Sequence, residues 1–344
     1  MRRRPLALAL LAALIASAPA APAKSPRSWA HAEIALVVKH GLMAPDVSSF
    51  RPEDPITQGE LTELVSGLTG EPASIAVNPR DPVTLAGLDS QLVRALELHD
   101  SSATLTRAAR AAGLRPPSRF GTEVVARLLG LRINHPAAQE TLELLPNEPA
   151  TRAEAAFSAA RILRFADGQV ERARTTAGSF ALPILSDWQR RVLTTGFGLV
   201  GYPYVWGGES EHPAASVGPQ ATGGFDCSGF VWRIYKLQAY PGAAALNNTL
   251  RGRTTVELSK EVPRNARIAL AELASGDVAF FGPKGPRSQP EQIDHMGVYV
   301  GNGWLLHSSG NGVTLVPLAG WYREHFSWAR RPLAEAGLDP GAAP

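Results

Sequence analysis

The sequence predicts two domains, a helical one followed by one in which helices precede a run of short hairpin strands. Three observations carry this. The chain is 344 residues long, more than one hydrophobic core usually serves. From Trp29 to Ile162 it is rich in Ala and Leu, with few aromatics and two echoing helix starts. After residue 276, short β-prone runs alternate with Gly and Asn turns.

Residues 1–23 read as a signal peptide. Arg2, Arg3 and Arg4 form a basic start, Leu6 to Ile15 an apolar run of ten, and Ala18-Pro19-Ala20 and Ala21-Pro22-Ala23 offer small-residue cleavage sites. Ten apolar residues are too few to span a bilayer, and no cysteine follows them to carry a lipid anchor. The chain is therefore expected to be secreted, with no membrane anchor. Removing three arginines takes Lys plus Arg from 34 to 31, equal to the 31 Asp plus Glu. A formally neutral mature chain gives no support for nucleic-acid binding.

Residues 24–165 form the helical region. Phe50-Arg51-Pro52-Glu53-Asp54-Pro55-Ile56-Thr57-Gln58-Gly59-Glu60 is echoed by Leu145-Pro146-Asn147-Glu148-Pro149-Ala150-Thr151-Arg152-Ala153-Glu154. In each, a Pro-bounded turn leads to Thr with Glu three residues on, a capping box. These units resemble S-layer homology repeats, with Trp29-Ala30 and Gly41-Leu42 ahead of the first turn. The copies lie 94 residues apart, leaving room for a degenerate third unit. The resemblance implies attachment to cell-wall polymers; a plain helical spacer or an inhibitory prodomain fits the same pattern. Residues 166–182 are polar and read as a helix end and a linker.

The second domain spans residues 183–334, with a flexible tail over 335–344. Ser186 to Val200 suits an amphipathic helix capped by Ser186 or Asp187. The aromatic turn Gly201-Tyr202-Pro203-Tyr204-Val205-Trp206-Gly207-Gly208 follows, and then Gly223-Gly224-Phe225-Asp226-Cys227-Ser228-Gly229. Cys227 is the only cysteine. Asp226 is a good N-cap, and Phe230, Val231, Ile234 and Leu237 continue at helical spacing. A thiol at that helix start is expected to have its pKa lowered toward the nucleophilic thiolate. A buried core cysteine is the plain alternative.

Strands are expected at 277–281, 294–300, 304–308 and 313–317. A three-residue loop Gly301-Asn302-Gly303 would pair Val298 with Leu306 and place His295 and His307 on one face, roughly 7 to 8 Å apart. A two-residue Asn302-Gly303 turn would put them on opposite faces. The chemistry favours the first. Cys227 would attack a carbonyl, His295 would take its proton, and His307 would orient His295. Tyr204 could donate a hydrogen bond to the developing oxyanion. A zinc site of Cys227, His295 and His307 is the chemical rival.

Tyr204 to Gly208, Phe225 to Val231, Arg253-Thr254-Thr255, Ser275 to Phe281, His295 to Gly303 and His307 follow the order of the NlpC-type cell-wall cysteine peptidases, which this half resembles. Phe326 to Arg331 looks like the family's closing strand. The resemblance implies an α+β, papain-like cysteine peptidase domain acting on peptidoglycan stem peptides, at a γ-D-glutamyl-diaminopimelate or related amide. It assigns Cys227, His295 and His307 to catalysis and Tyr204, Asp226, Ser228 and Arg253 to substrate binding, with no metal or cofactor. An amidase or acyltransferase of the same fold, or a wall-binding scaffold with a vestigial catalytic domain, remains open. The stretches 209–226 and 240–248 look longer than the family's usual loops and would rim the cleft.

Overall fold

The computed structural model describes residues 27–213 and 220–338. The expected signal segment, 1–23, lies outside the described residues, and the expected tail is described only to residue 338. Among the described residues no helix is long and apolar enough to cross a membrane.

The first region holds α1 (His31–Lys39), α2 (Gln58–Thr69), α3 (Leu85–Ala95), α4 (His99–Ala111), α5 (Phe120–Leu128) and α6 (Arg152–Leu163). Helices α2, α3 and α6 each start from a Pro-containing turn, and the three turns close into a ring. Ile56 N–H donates to Ala150 O at 2.9 Å, Val83 N–H to Ile56 O at 2.9 Å, and Ala150 N–H to Val83 O at 2.8 Å. A second rank repeats the pattern from Gln58, Leu85 and Arg152 to Asp81 O, Glu148 O and Asp54 O. The third unit is thus Asn78 to Thr84, and the ring satisfies backbone groups that three separate turns would leave to water.

The caps of this ring are not all alike. Thr57 and Glu60 make a complete capping box, whereas Thr84 and Thr151 each accept a single N–H. Glu154, expected to complete the box at Thr151, turns its carboxylate into the core, 3.6 Å from Arg132 Nη1.

The stretch expected to be a linker contains α7 (Gln169–Gly178). Ala173 and Ala177 are its buried residues. Two alanines one turn apart make too narrow an apolar stripe to stand out among charged neighbours. Phe180 then packs edge-on against Trp304 at 5.1 Å, and Phe120 stacks on Phe197 at 4.8 Å, so the two halves share one continuous core.

The second region begins with α8 (Asp187–Gly198), capped by Ser186 in a full box with Gln189. Short strands β1 (Glu209–Ser210) and β2 (Gly224–Phe225) pair just before α9 (Cys227–Trp232), which runs into a π-helical turn at Arg233–Leu237. After α10 (Thr255–Lys260) come β3 (Val278–Phe281), β4 (His295–Gly301), β5 (Trp304–Ser309) and β6 (Gly312–Pro317). Then follow α11 (Trp321–His325), β7 (Phe326–Arg330) and α12 (Pro332–Glu335). The five longer strands form an antiparallel sheet in the order β6-β5-β4-β3-β7. Val298, Val300 and Leu306 belong to the large core shared with α8 and α9; Ala279, Phe281, Leu305 and Phe326 form a smaller cluster.

Candidate active site

Asp226 builds the start of α9. Its Oδ1 accepts from Gly229 N–H at 2.5 Å and from Ser228 Oγ at 3.0 Å, while Oδ2 accepts from Gly207 N–H at 3.0 Å. Cys227 follows as the first residue of the helix. α9 packs against β4, and the backbone of Met296, the residue after His295, lies near enough to the thiol to favour its charged form.

The β4–β5 hairpin uses both registers weighed from the sequence. At the tip, Gly301 pairs with Trp304 across Asn302-Gly303, and both turn residues have positive φ, as a type I′ turn requires. Further down, Val298 pairs with Leu306 and Tyr299 with Leu305, because Val300 is the extra residue of a bulge. That one-residue shift returns His295 and His307 to a common face. Gly297 lies between them: a Cβ there would stand 2.8 Å from the His307 Cβ.

His295 Nε2 meets His307 Nδ1 at 3.0 Å, with the rings nearly perpendicular. His307 is fully buried, and its Nε2 lies 3.3 Å from the hydroxyl of Tyr322. The surrounding rings desolvate His295 and pull its pKa down to about 4. Burial and the neighbouring His295 hold His307 well below the usual imidazole range. Both rings are therefore neutral at pH 7 and able to accept a proton.

The thiol departs from expectation. Burial first, and the Asp226 carboxylate second, push Cys227 up to about 12. A six-residue helix whose cap is itself an anion offers too little positive field to overcome desolvation. Thiol and imidazole are both neutral at rest.

The residues expected to bind substrate divide into two groups. Arg253 donates from Nε to Glu209, from Nη1 to Asp226 and Ser228, and from Nη2 to the carbonyls of Gly207 and Gly208. All five of its donors are engaged inside the protein, so it braces the loop behind Cys227 and has none left for a substrate. Asp226 and Ser228 are partners in that brace. Tyr204 differs: its hydroxyl has no hydrogen-bond partner among the described residues. Burial, with Cys227 and Asp226 nearby, raises its pKa well above the usual phenol range, so it stays protonated and keeps an O–H to donate.

The sequence reading missed Tyr322, Asn134 and Glu140. Tyr322 sits after the last expected hairpin, in a short helix without periodicity to mark it. Asn134 Oδ1 accepts from Tyr204 N–H at 3.1 Å and Glu140 Oε1 from Trp206 N–H at 2.8 Å, contacts spanning 70 and 66 residues. The long stretch 240–248 does not rim the cleft. Tyr240 bonds Thr195 at 3.0 Å and Leu246 is buried, which packs the segment on α8. In the other stretch, Gln220 pins the backbone through Ser210 O, Thr222 O and Gly224 O. A pocket of about 400 Å³ opens beside the histidines, lined by Asp294, His295, Ser309, Trp321 and Tyr322.

Residues 201–331 match the model of the NlpC/P60 family, and residues 23–62 that of the S-layer homology domain. Among curated proteins, the chain is 28% identical over 166 residues to the bifunctional muramidase/DL-endopeptidase CwlT of Bacillus subtilis, covering 48% of this chain and 41% of that protein. It is 33% identical over 142 residues to the murein DD-endopeptidase MepH of Escherichia coli, covering 40% and 44%. It is 35% identical over 123 residues to the peptidoglycan endopeptidase RipB of Mycobacterium tuberculosis, covering 35% and 43%. Less than half of each relative's own length is matched. The solved structure of RipB aligns at 28% identity with a TM-score of 0.32, over 42% of this chain and 64% of that one. The chain thus carries an NlpC/P60 family domain over residues 201–331, preceded by an S-layer homology domain over residues 23–62.

Proposed function

We propose that residues 183–334 hydrolyse an amide of peptidoglycan stem peptides, of the γ-D-glutamyl-diaminopimelate type, through Cys227. The contact of His295 with His307 at 3.0 Å, on the two strands that pack against the helix opened by Cys227, carries this reading. As the thiol attacks the scissile carbonyl, its proton passes to His295. With His295 Nε2–H donating to His307 Nδ1, the base nitrogen is Nδ1, and His307 Nε2–H donates to the Tyr322 hydroxyl. The carbonyl oxygen gains charge and takes the free O–H of Tyr204. Collapse breaks the C–N bond, His295 returns the proton to the leaving amine, and a water activated by His295 releases the acyl group from sulfur. Because both His307 nitrogens serve this relay, the arrangement favours thiol chemistry over a shared zinc.

The S-layer homology domain supports a second element of the proposal: an exported protein held at the cell wall through wall polymers. Mass spectrometry of digested peptidoglycan tests the hydrolase. Wild type is expected to release new stem-peptide fragments and Cys227→Ala none, while full-length Cys227→Ala still sediments with purified walls. Identical fragments from both proteins would overturn the hydrolase reading and leave a wall-binding scaffold.

A further inference from the structure

The turn that carries Tyr204 is stitched to two domains by alternating amides. Val205 N–H donates to Phe225 O at 3.3 Å and Gly207 N–H to Asp226 Oδ2 at 3.0 Å, both within the catalytic domain. Tyr204 and Trp206 point their N–H groups the other way, to Asn134 Oδ1 and Glu140 Oε1 of the helical region. The same region holds the approach to the turn. Arg119 donates to Gly198 O at 2.8 Å and Val200 O at 3.2 Å, and Arg127 donates to Gly201 O at 2.7 Å. An extended segment anchored on one side only would keep its alternate amides for water and its side chains free to swing.

We propose that the helical region is a working part of the peptidase site: Asn134 and Glu140 are positioning residues that fix the Tyr204–Trp206 turn, and with it the Tyr204 hydroxyl, against Cys227. The attachment domain is then neither a tether alone nor a plug over the cleft. Glu140 holds the Trp206 amide with its carboxylate and lies close enough to Tyr204 to raise its phenol pKa further. Trp206, in the same turn, is 74% exposed, so the turn presents its ring to an incoming peptide.

The role in catalysis rests on the hydrolase reading; the role in positioning does not. Both are tested on the full chain with Glu140→Ala, Asn134→Ala and the acceptor-retaining Glu140→Gln. The expected result is a kcat lowered about ten- to a hundred-fold in the alanine variants, the cost of a misplaced catalytic group. The acid limb of the pH profile and the thermal midpoint stay in place, and Glu140→Gln recovers most of the rate. Hydrogen exchange at the Trp206 amide, protected in wild type, accelerates in Glu140→Ala. An unchanged kcat with unchanged exchange overturns the proposal, as does a loss of rate that tracks a loss of stability and is not recovered by Glu140→Gln. If wild type itself cleaves no stem peptide, the hydrolase reading fails, and the exchange experiment still decides the positioning.

Discussion

Two regions of this molecule bury ionisable groups, and they do so in opposite ways. In the helical region, Asp89, Glu154 and Arg132 are sealed between α3, α6 and the segment after α5, with Asp89 Oδ1 3.0 Å from Arg132 Nε. Burial drives Asp89 up to about 7 against the pull of Arg132. In the catalytic region, burial drives His295 down to about 4, beside a second neutral ring. Desolvation is the main cause in both, so a displaced pKa does not by itself mark a catalytic group. What separates them is access and neighbours. The Asp89 cluster pairs opposite charges inside a core, while His295 lines an open pocket on the strand that packs against the helix of the lone cysteine.

Removing one member of the paired cluster should cost the most. Arg132→Ala leaves Asp89 and Glu154 buried without their counter-charge, an expected loss of about 3–5 kcal/mol in urea unfolding. A loss below about 1 kcal/mol would show that the cluster is not held by pairing.

Acidity should then separate the regions by sign. The His295 pKa is lowered from 6.5 to about 4, so its stabilising contribution is present above 6.5 and lost as pH falls toward 4. Asp89 is raised from 3.8 to about 7, so its contribution is present below 3.8 and lost as pH rises toward 7. Hydrogen exchange against pH should show acid loosening β4 and β5, and rising pH loosening α3. The acid limb of kcat/KM should fall near 4, and a limb near 6.5 would mean that His295 is not desolvated in the working enzyme.

Smaller effects sharpen the contrast. Tyr322→Phe removes the acceptor that fixes the His307 tautomer, at about 1 kcal/mol or roughly five-fold in kcat, with KM unchanged. An equal rise in KM would assign Tyr322 to substrate binding. Thr57→Ala, in the complete capping box of the ring, should cost about 1 kcal/mol of stability and leave kcat alone.

Much of the site was legible in the sequence because its signals are short-range. An N-cap before Cys227, a glycine between two strand histidines and an Asn-Gly turn are each set by dihedral preference and by the spacing of a few residues. The hairpin was legible only as a choice between registers, since the bulge at Val300 that joins them depends on what the strands pack against.

Local rules decided where the thiol, the histidines and the helix starts of the ring would stand. The tertiary structure decided what those groups experience. The thiol pKa rose because burial outweighs a short helix dipole, Arg253 became a brace because five acceptors converge on it, and α7 stands where a linker was expected because its two alanines are buried in a helix packed on α4. Tyr322, Asn134 and Glu140 belong to the same class. Desolvation and contacts across 15 to 70 residues arise only when the chain has closed on itself, and no window of sequence contains them.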